Sequence, residues 1–157
     1  MHYKFKLNHL IIPLITILVA SVGSLITSLG LDWYNGLNFP AFVPSGSFIG
    51  MMWTIIFILT AISALMFYNK SDRSAYSVMV SLLFFNNAFL NIFWCLLFFG
   101  QHMMGLALVE IFILNAVNLV LILLLWRKYR ASALLLFPYF IWVCVVAYLN
   151  YSLWLIN

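Results

Sequence analysis

A chain of 157 residues that is 67% hydrophobic and only 6% charged is not a soluble domain, whose surface needs about a quarter of its residues charged. Two-thirds of such a chain cannot be buried in one core of this size, so most of it has lipid for a solvent. The net charge of +4 rests on seven Lys and Arg spread over three places, too thin a distribution for a nucleic-acid surface.

In chain order, the short basic start MHYKFKLNH leads into a first apolar span, residues 10–29. Its length of about 20 residues is enough to cross a bilayer. A basic start before an apolar run also resembles a signal peptide. The run is too long for a usual signal core, however, and Leu18 stands where a small residue is wanted before Ala20, so it reads as helix one. Residues 32–53, DWYNGLNFPAFVPSGSFIGMMW, are neither an apolar span nor a charged hinge. Pro40 and Pro44 each remove a backbone donor and push the preceding residue out of helical geometry. This stretch reads as a long Pro/Trp-rich loop that caps a helical bundle and lids a cavity. Further spans follow at 48–68, 76–99, 106–126 and 133–156, separated by the hinge NKSDRS, the turn GQHMMG and the hinge RKYR. The expectation is an all-α membrane protein, a single five-helix transmembrane domain over 1–157.

Five spans put Lys4, Lys6, Lys70, Arg73, Arg127, Lys128 and Arg130, all the basic side chains, on one side of the membrane. The positive-inside rule makes that side cytoplasmic, with the N-terminus inside and the C-terminus outside. Short termini without a basic tail favour a bacterial cytoplasmic membrane.

Polar side chains within spans are costly and face the protein interior. Asn87, Asn91, Trp94 and Phe98 fall on one helical stripe of span three, and Pro138, Trp142, Val146 and Asn150 on one stripe of span five. Trp53, Phe57, Thr60 and Ala64 continue such a face in span two. Asn115 and Asn118 read as interhelical glue. Glu110 is the lone carboxylate inside a span; a protonated structural role, bonded to a carbonyl or an Asn, competes with ligand or proton work. Trp33, Trp126 and Trp154 lie at span ends, where an interfacial belt is the default. The deeper Trp53, Trp94 and Trp142 suit packing or a flat apolar ligand equally. Cys95 and Cys144 lie in apolar runs and read as small buried hydrophobes. His2, His9 and His102 are far apart, so no metal site is expected. Gly46 and Gly50 match GxxxG, with a loop role favoured over a dimer face. Five spans offer no inverted repeat of equal halves, which weakens a secondary-transporter reading.

These residues together carry a resemblance to the translocator protein family, also called tryptophan-rich sensory proteins or peripheral-type benzodiazepine receptors. Against the family's loop pattern WYxxLxKPxWxPPGxxFGxxW, Trp33, Tyr34, Leu37, Pro40, Pro44, Gly46, Gly50 and Trp53 match. Phe39, Phe42 and Ser45 depart from it. Leu90, Asn91, Trp94, Phe98 and Phe99 match span three of the family. Ala107 to Glu110 match the start of span four, and Pro138, Tyr139, Trp142, Ala147, Leu149, Asn150, Trp154 and Asn157 match span five. The resemblance implies a homodimer with a pocket opening toward the loop. Its ligands would be porphyrins such as protoporphyrin IX and isoquinoline carboxamides, with no required cofactor. In some bacterial members it also implies light-dependent porphyrin breakdown. Carried over by position, the pocket would use Tyr34, Pro44, Trp53, Asn91, Trp142 and Val146, with Trp53 and Trp142 implicated in the porphyrin chemistry. A porphyrin or small-molecule transporter is the alternative. Leu155 stands where the animal members' sterol motif needs a basic residue, so cholesterol binding is not expected.

Overall fold

The computed structural model describes residues 7–72 and 74–157. His2, Lys4, Lys6 and Arg73, used above for the metal and orientation readings, lie outside the described residues. The elements are α1 (Asn8–Leu29), α2 (Leu31–Asn35), α3 (Gly46–Lys70), α4 (Ala75–Cys95) continued by a π-helical turn (Leu96–Gly100), α5 (Met104–Lys128) and α6 (Arg130–Ile156). Among the described residues there is no strand, and α1, α3, α4 with its π-turn, α5 and α6 are long and apolar enough to cross a membrane. Helices are the expected answer, because in lipid each backbone donor and acceptor must be satisfied within its own segment.

Residues 32–53 are not one loop. Trp33 and Tyr34 sit on the short helix α2, and α3 begins at Gly46, two residues ahead of the expected start. The cause is Ser45, one of the residues that depart from the loop pattern quoted above. It is extended (φ −60°, ψ 149°), and its Oγ accepts the Phe48 N–H at 3.4 Å, an N-cap that a proline could not supply. The irregular connection shrinks to residues 36–45, and Gly46 and Gly50 are helical. Ser74 caps α4 in the same way, accepting the Ser77 N–H at 3.3 Å.

Trp33, at the end of the first span, is held by ring contacts on the loop side of the bundle. Its indole stacks on the His102 imidazole (4.1 Å between centroids, 13°) and meets Phe98 edge-on at 5.6 Å. His102 itself has φ 58°, a left-handed conformation that any non-glycine residue adopts at some cost. The stack holds the ring where that backbone presents it.

One end of the bundle gathers the polar hinges. Asn69 Nδ2 lies 3.1 Å from His9 Nε2, and Lys128 Nζ lies 3.5 Å from Asp72 Oδ2. We call this the hinge end and the opposite one the loop end. Around the bundle, α1 packs on α3 and α4, α3 on α6, α6 on α5, and α5 on α4, which closes a ring in the order α1, α3, α6, α5, α4. Direct packing between α3 and α4 is sparse. Two cores fill the ring's α5–α6 side. Ile111, Leu114, Trp142 and Val143 belong to the loop half, and Phe67, Leu121, Leu125 and Leu136 to the hinge half. Helix α1 adds only Val19 to the buried set, so the opposite side of the ring is loosely filled.

Candidate functional site: an aromatic cavity in the loop half

The space between α3 and α4 is a cavity of about 710 Å³. Its walls come from α1 (Val19 to Thr27), α2 (Leu31, Tyr34), α3 (Gly46 to Phe57), α4 with its π-turn (Asn91 to Phe99) and α6 (Val146 to Leu153). A side chain at Gly46 or Gly50 would meet nothing within 4 Å, so the GxxxG pair widens the cavity instead of seating a helix against it. Residues 36–45 do not line it; the α2 residues Leu31 and Tyr34 do.

The π-helical turn shapes the far wall. Gln101 N–H bonds the Leu96 carbonyl at 2.8 Å and Met103 N–H the Leu97 carbonyl at 2.8 Å, and this widened turn brings both Phe98 and Phe99 to the cavity. Such insertions recur at functional sites. A ladder of rings runs along this wall: Trp53 to Trp94 at 6.5 Å, Trp94 to Phe98 at 5.2 Å (stacked, 18°), then Phe98 to Trp33. The offset and edge-on geometries are those aromatic pairs prefer.

Polar groups are fixed behind these rings. Trp94 Nε1–H donates to Asn150 Oδ1 at 3.2 Å, and Asn150 Nδ2 donates to the Met104 carbonyl at 2.9 Å. Asn91 Nδ2 donates to the Asn87 carbonyl at 2.9 Å and to the Tyr139 hydroxyl. Tyr139 in turn donates to Asn87 Oδ1 at 3.2 Å, and Asn87 Nδ2 to Asn118 Oδ1 at 2.7 Å. The cavity therefore offers flat apolar surface with a few oriented amides at its edge, the arrangement usual in small-molecule sites of ~300–1,000 Å³. At the roof, burial pushes the Tyr34 phenol above its ordinary value, which keeps it a neutral donor.

Of the six residues carried over by resemblance, Tyr34, Trp53, Asn91 and Val146 line this cavity. Pro44 lies outside it, one residue before the α3 cap. Trp142 is also outside: it is 4% exposed, packs in the loop-half core and meets Phe48 edge-on at 6.2 Å. Its position on the α6 stripe, one turn from Val146, is right; the ring turns toward the core. Sequence reasoning missed Phe99, Thr27 and Cys95 as wall residues. Their one signal is proximity to Gly23, Gly30 and Gly100, where α1 and the π-turn approach closely. Glu110 is 4% exposed, and neither carboxylate oxygen has a hydrogen-bond partner among the described residues. The expected bond to a carbonyl or an Asn is absent, because the α5 face it shares with Ala107 and Ile111 meets apolar core. Asn115 donates to Cys144 Sγ at 3.1 Å.

The connection 36–45 is tied to the end of α6. Asn157 Oδ1 accepts the Asn38 N–H at 2.8 Å, its Nδ2 donates to the Asn38 carbonyl at 3.1 Å, and Phe42 stacks on Tyr148 at 5.3 Å. Asn157→Ala removes both backbone bonds from one exposed strap. The expected result is several-fold faster amide exchange at residues 36–45 with unchanged protection in α4 to α6. Equal exchange in the two proteins would show that the ring stack alone holds the strap.

Fold and site define a class: a polytopic helical membrane protein enclosing a cavity with aromatic walls. The chain belongs to the TspO/MBR family, whose model matches residues 11–155. It is 30% identical over 155 residues to the tryptophan-rich protein TspO of Bacillus cereus, covering 97% of this chain and 98% of that one. To the tryptophan-rich protein TspO of Archaeoglobus fulgidus it is 30% identical over 145 residues (88% and 90% covered). To the translocator protein of Homo sapiens it is 27% identical over 126 residues (80% and 75% covered).

Proposed function

We propose that this chain binds a tetrapyrrole, of the protoporphyrin IX type, within the membrane and serves a sensory, regulatory or photoprotective role. The observation that carries the reading is the cavity of about 710 Å³ walled by Trp53, Trp94, Phe98 and Phe99 with the Asn91 and Asn150 amides at its edge. A planar macrocycle stacks on such rings, and its polar substituents meet the amides and the Tyr34 hydroxyl. Isoquinoline carboxamides have the same chemistry, a flat aromatic body with one amide. The native form is a homodimer in a bacterial cytoplasmic membrane. Its hinge end, with Lys70, Arg127, Lys128 and Arg130, faces the cytoplasm by the positive-inside rule.

Under illumination a bound porphyrin would be broken down weakly, with Trp53 as the indole in contact and Trp142 one layer behind. Titration with protoporphyrin IX in the dark, followed by tryptophan fluorescence, tests the binding. Wild type should quench saturably, and the Trp53→Phe, Trp142→Phe double variant should lose most of that response. Of the single variants, Trp53→Phe should weaken binding more, because its ring lines the cavity. Non-saturable quenching in wild type would remove the tetrapyrrole reading, and equal affinity in the double variant would remove the site. One observation favours the transporter alternative: a second, smaller space adjoins the cavity on the hinge side. Porphyrin flux into proteoliposomes that saturates with concentration would establish that reading in place of the sensory one.

A further inference from the structure

The second space lies in the hinge half, between α1, α3 and α4, and measures about 170 Å³. Its walls are Ile12, Ile15 and Val19 of α1, Phe57, Ala61 and Ala64 of α3, and Phe84, Phe85 and Ala88 of α4. Three alanines at the places where α3 and α4 would otherwise touch leave the gap open. An apolar cavity of ~150 Å³ in a protein stays dry and accepts a benzene-sized group. This one is of that size.

Its lining is mostly apolar, and several donors at its polar edge are already bonded. Thr16 Oγ1 donates to the Ile12 carbonyl at 2.9 Å, Ser81 Oγ to the Ser77 carbonyl at 2.6 Å, and the Asn91 amide to Asn87 and Tyr139. Thr60 Oγ1 is the wall's buried polar atom without a partner. Ile15 and Phe85 of its lining are 39% and 68% exposed on the apolar outer faces of α1 and α4, the faces that lipid tails meet when these helices span a bilayer. The inner wall is shared: Val19, Phe57 and Asn91 border this space and the aromatic cavity alike, and Phe57 packs on Trp53 at 5.7 Å.

We propose that this chamber is an acyl-chain site, filled by the end of one membrane phospholipid tail that enters between α1 and α4 and stops against Phe57. It is distinct from the tetrapyrrole reading and does not depend on it. The tail completes the loosely packed α1 side of the ring and forms the floor under Trp53.

The test uses the full chain in bilayers containing a phosphatidylcholine with a photoactivatable diazirine near the end of one tail, with adducts mapped by peptide mass spectrometry. Wild type should carry adducts at Thr60, Ala61 or Ala64, besides those at lipid-facing residues such as Phe85. Ala64 is 6% exposed and does not meet bulk lipid. Ala61→Leu and Ala88→Leu fill the chamber from opposite walls. Each should lower the adducts at Thr60 and Ala64 several-fold while those at Phe85 stay constant, with an unchanged thermal midpoint in detergent to show that the variant is folded. Adducts confined to lipid-facing residues in wild type, or Thr60 and Ala64 adducts in both variants at the wild-type yield, would overturn the proposal.

Discussion

Replacing Gly30 with alanine should lower the thermal midpoint by several degrees and loosen the roof of the aromatic cavity. Gly30 is buried at the corner between α1 and α2, where its amide caps the Ile26 and Thr27 carbonyls and its carbonyl accepts the Tyr34 N–H at 2.9 Å. A Cβ there would lie 2.4 Å from the Phe99 carbonyl oxygen and 2.9 Å from its carbonyl carbon. The obstacle is backbone of the π-helical turn, which no rotamer change can move aside. The glycine's φ of −94° is open to any residue, so the requirement is space alone. Overpacking of this kind costs about 1–3 kcal/mol. Relief would come from moving α2 away from the π-turn, which separates Tyr34 from Phe99 and Trp33 from Phe98. Unfolding in detergent followed by tryptophan emission measures the cost. An unchanged midpoint would mean that the corner and the π-turn are not in contact.

A second large effect is expected at Asn87, which joins three helices. It donates to Asn118 on α5, accepts from Tyr139 on α6 and receives the Asn91 amide from its own helix. Asn87→Leu strips Asn118 and Tyr139 of these bonds inside the bundle. A single interhelical hydrogen bond in a membrane contributes ~0.6 kcal/mol on average and up to ~1.7, because the separated helices also find partners. Two lost bonds and the groups left unpaired should cost about 2 kcal/mol. Asn118 is already half satisfied, since its own Nδ2 has no partner. The Asn87→Leu, Asn118→Leu double variant should therefore be more stable than Asn87→Leu alone, as removing both members of a buried pair is far cheaper than removing one. Strictly additive losses would show that the two amides do not interact.

Both predictions concern contacts between helices, and this divides what was legible in the chain from what was not. The stripes Asn87–Asn91–Trp94–Phe98 and Trp142–Val146–Asn150 point inward as their spacing requires, and Asn91, Trp94, Phe98, Val146 and Asn150 meet at one cavity. Trp142 shares the stripe and yet turns into the core, because a helical face spans a wide arc and α5 takes part of it. The contact of Trp33 with His102 is not legible from its place at a span end, because it depends on a five-residue helix inside the Pro-rich stretch. Ser45, one of the departures from the loop pattern, caps the following helix, which a single position in the pattern does not reveal.

The sequence alone determined that this chain is a bundle of five membrane helices with its charged hinges gathered at one end. Hydropathy, length and charge placement add up residue by residue and need no knowledge of neighbours. The tertiary structure decided the closed ring, the sparse contact of α3 with α4, the two spaces between them and the side of α6 to which Trp142 belongs. These depend on rotation and register between helices, set by small differences in packing among apolar faces that look alike in sequence. In lipid the hydrophobic effect does not choose among those faces. The glycines, alanines and amides that let backbones approach or keep them apart make that choice.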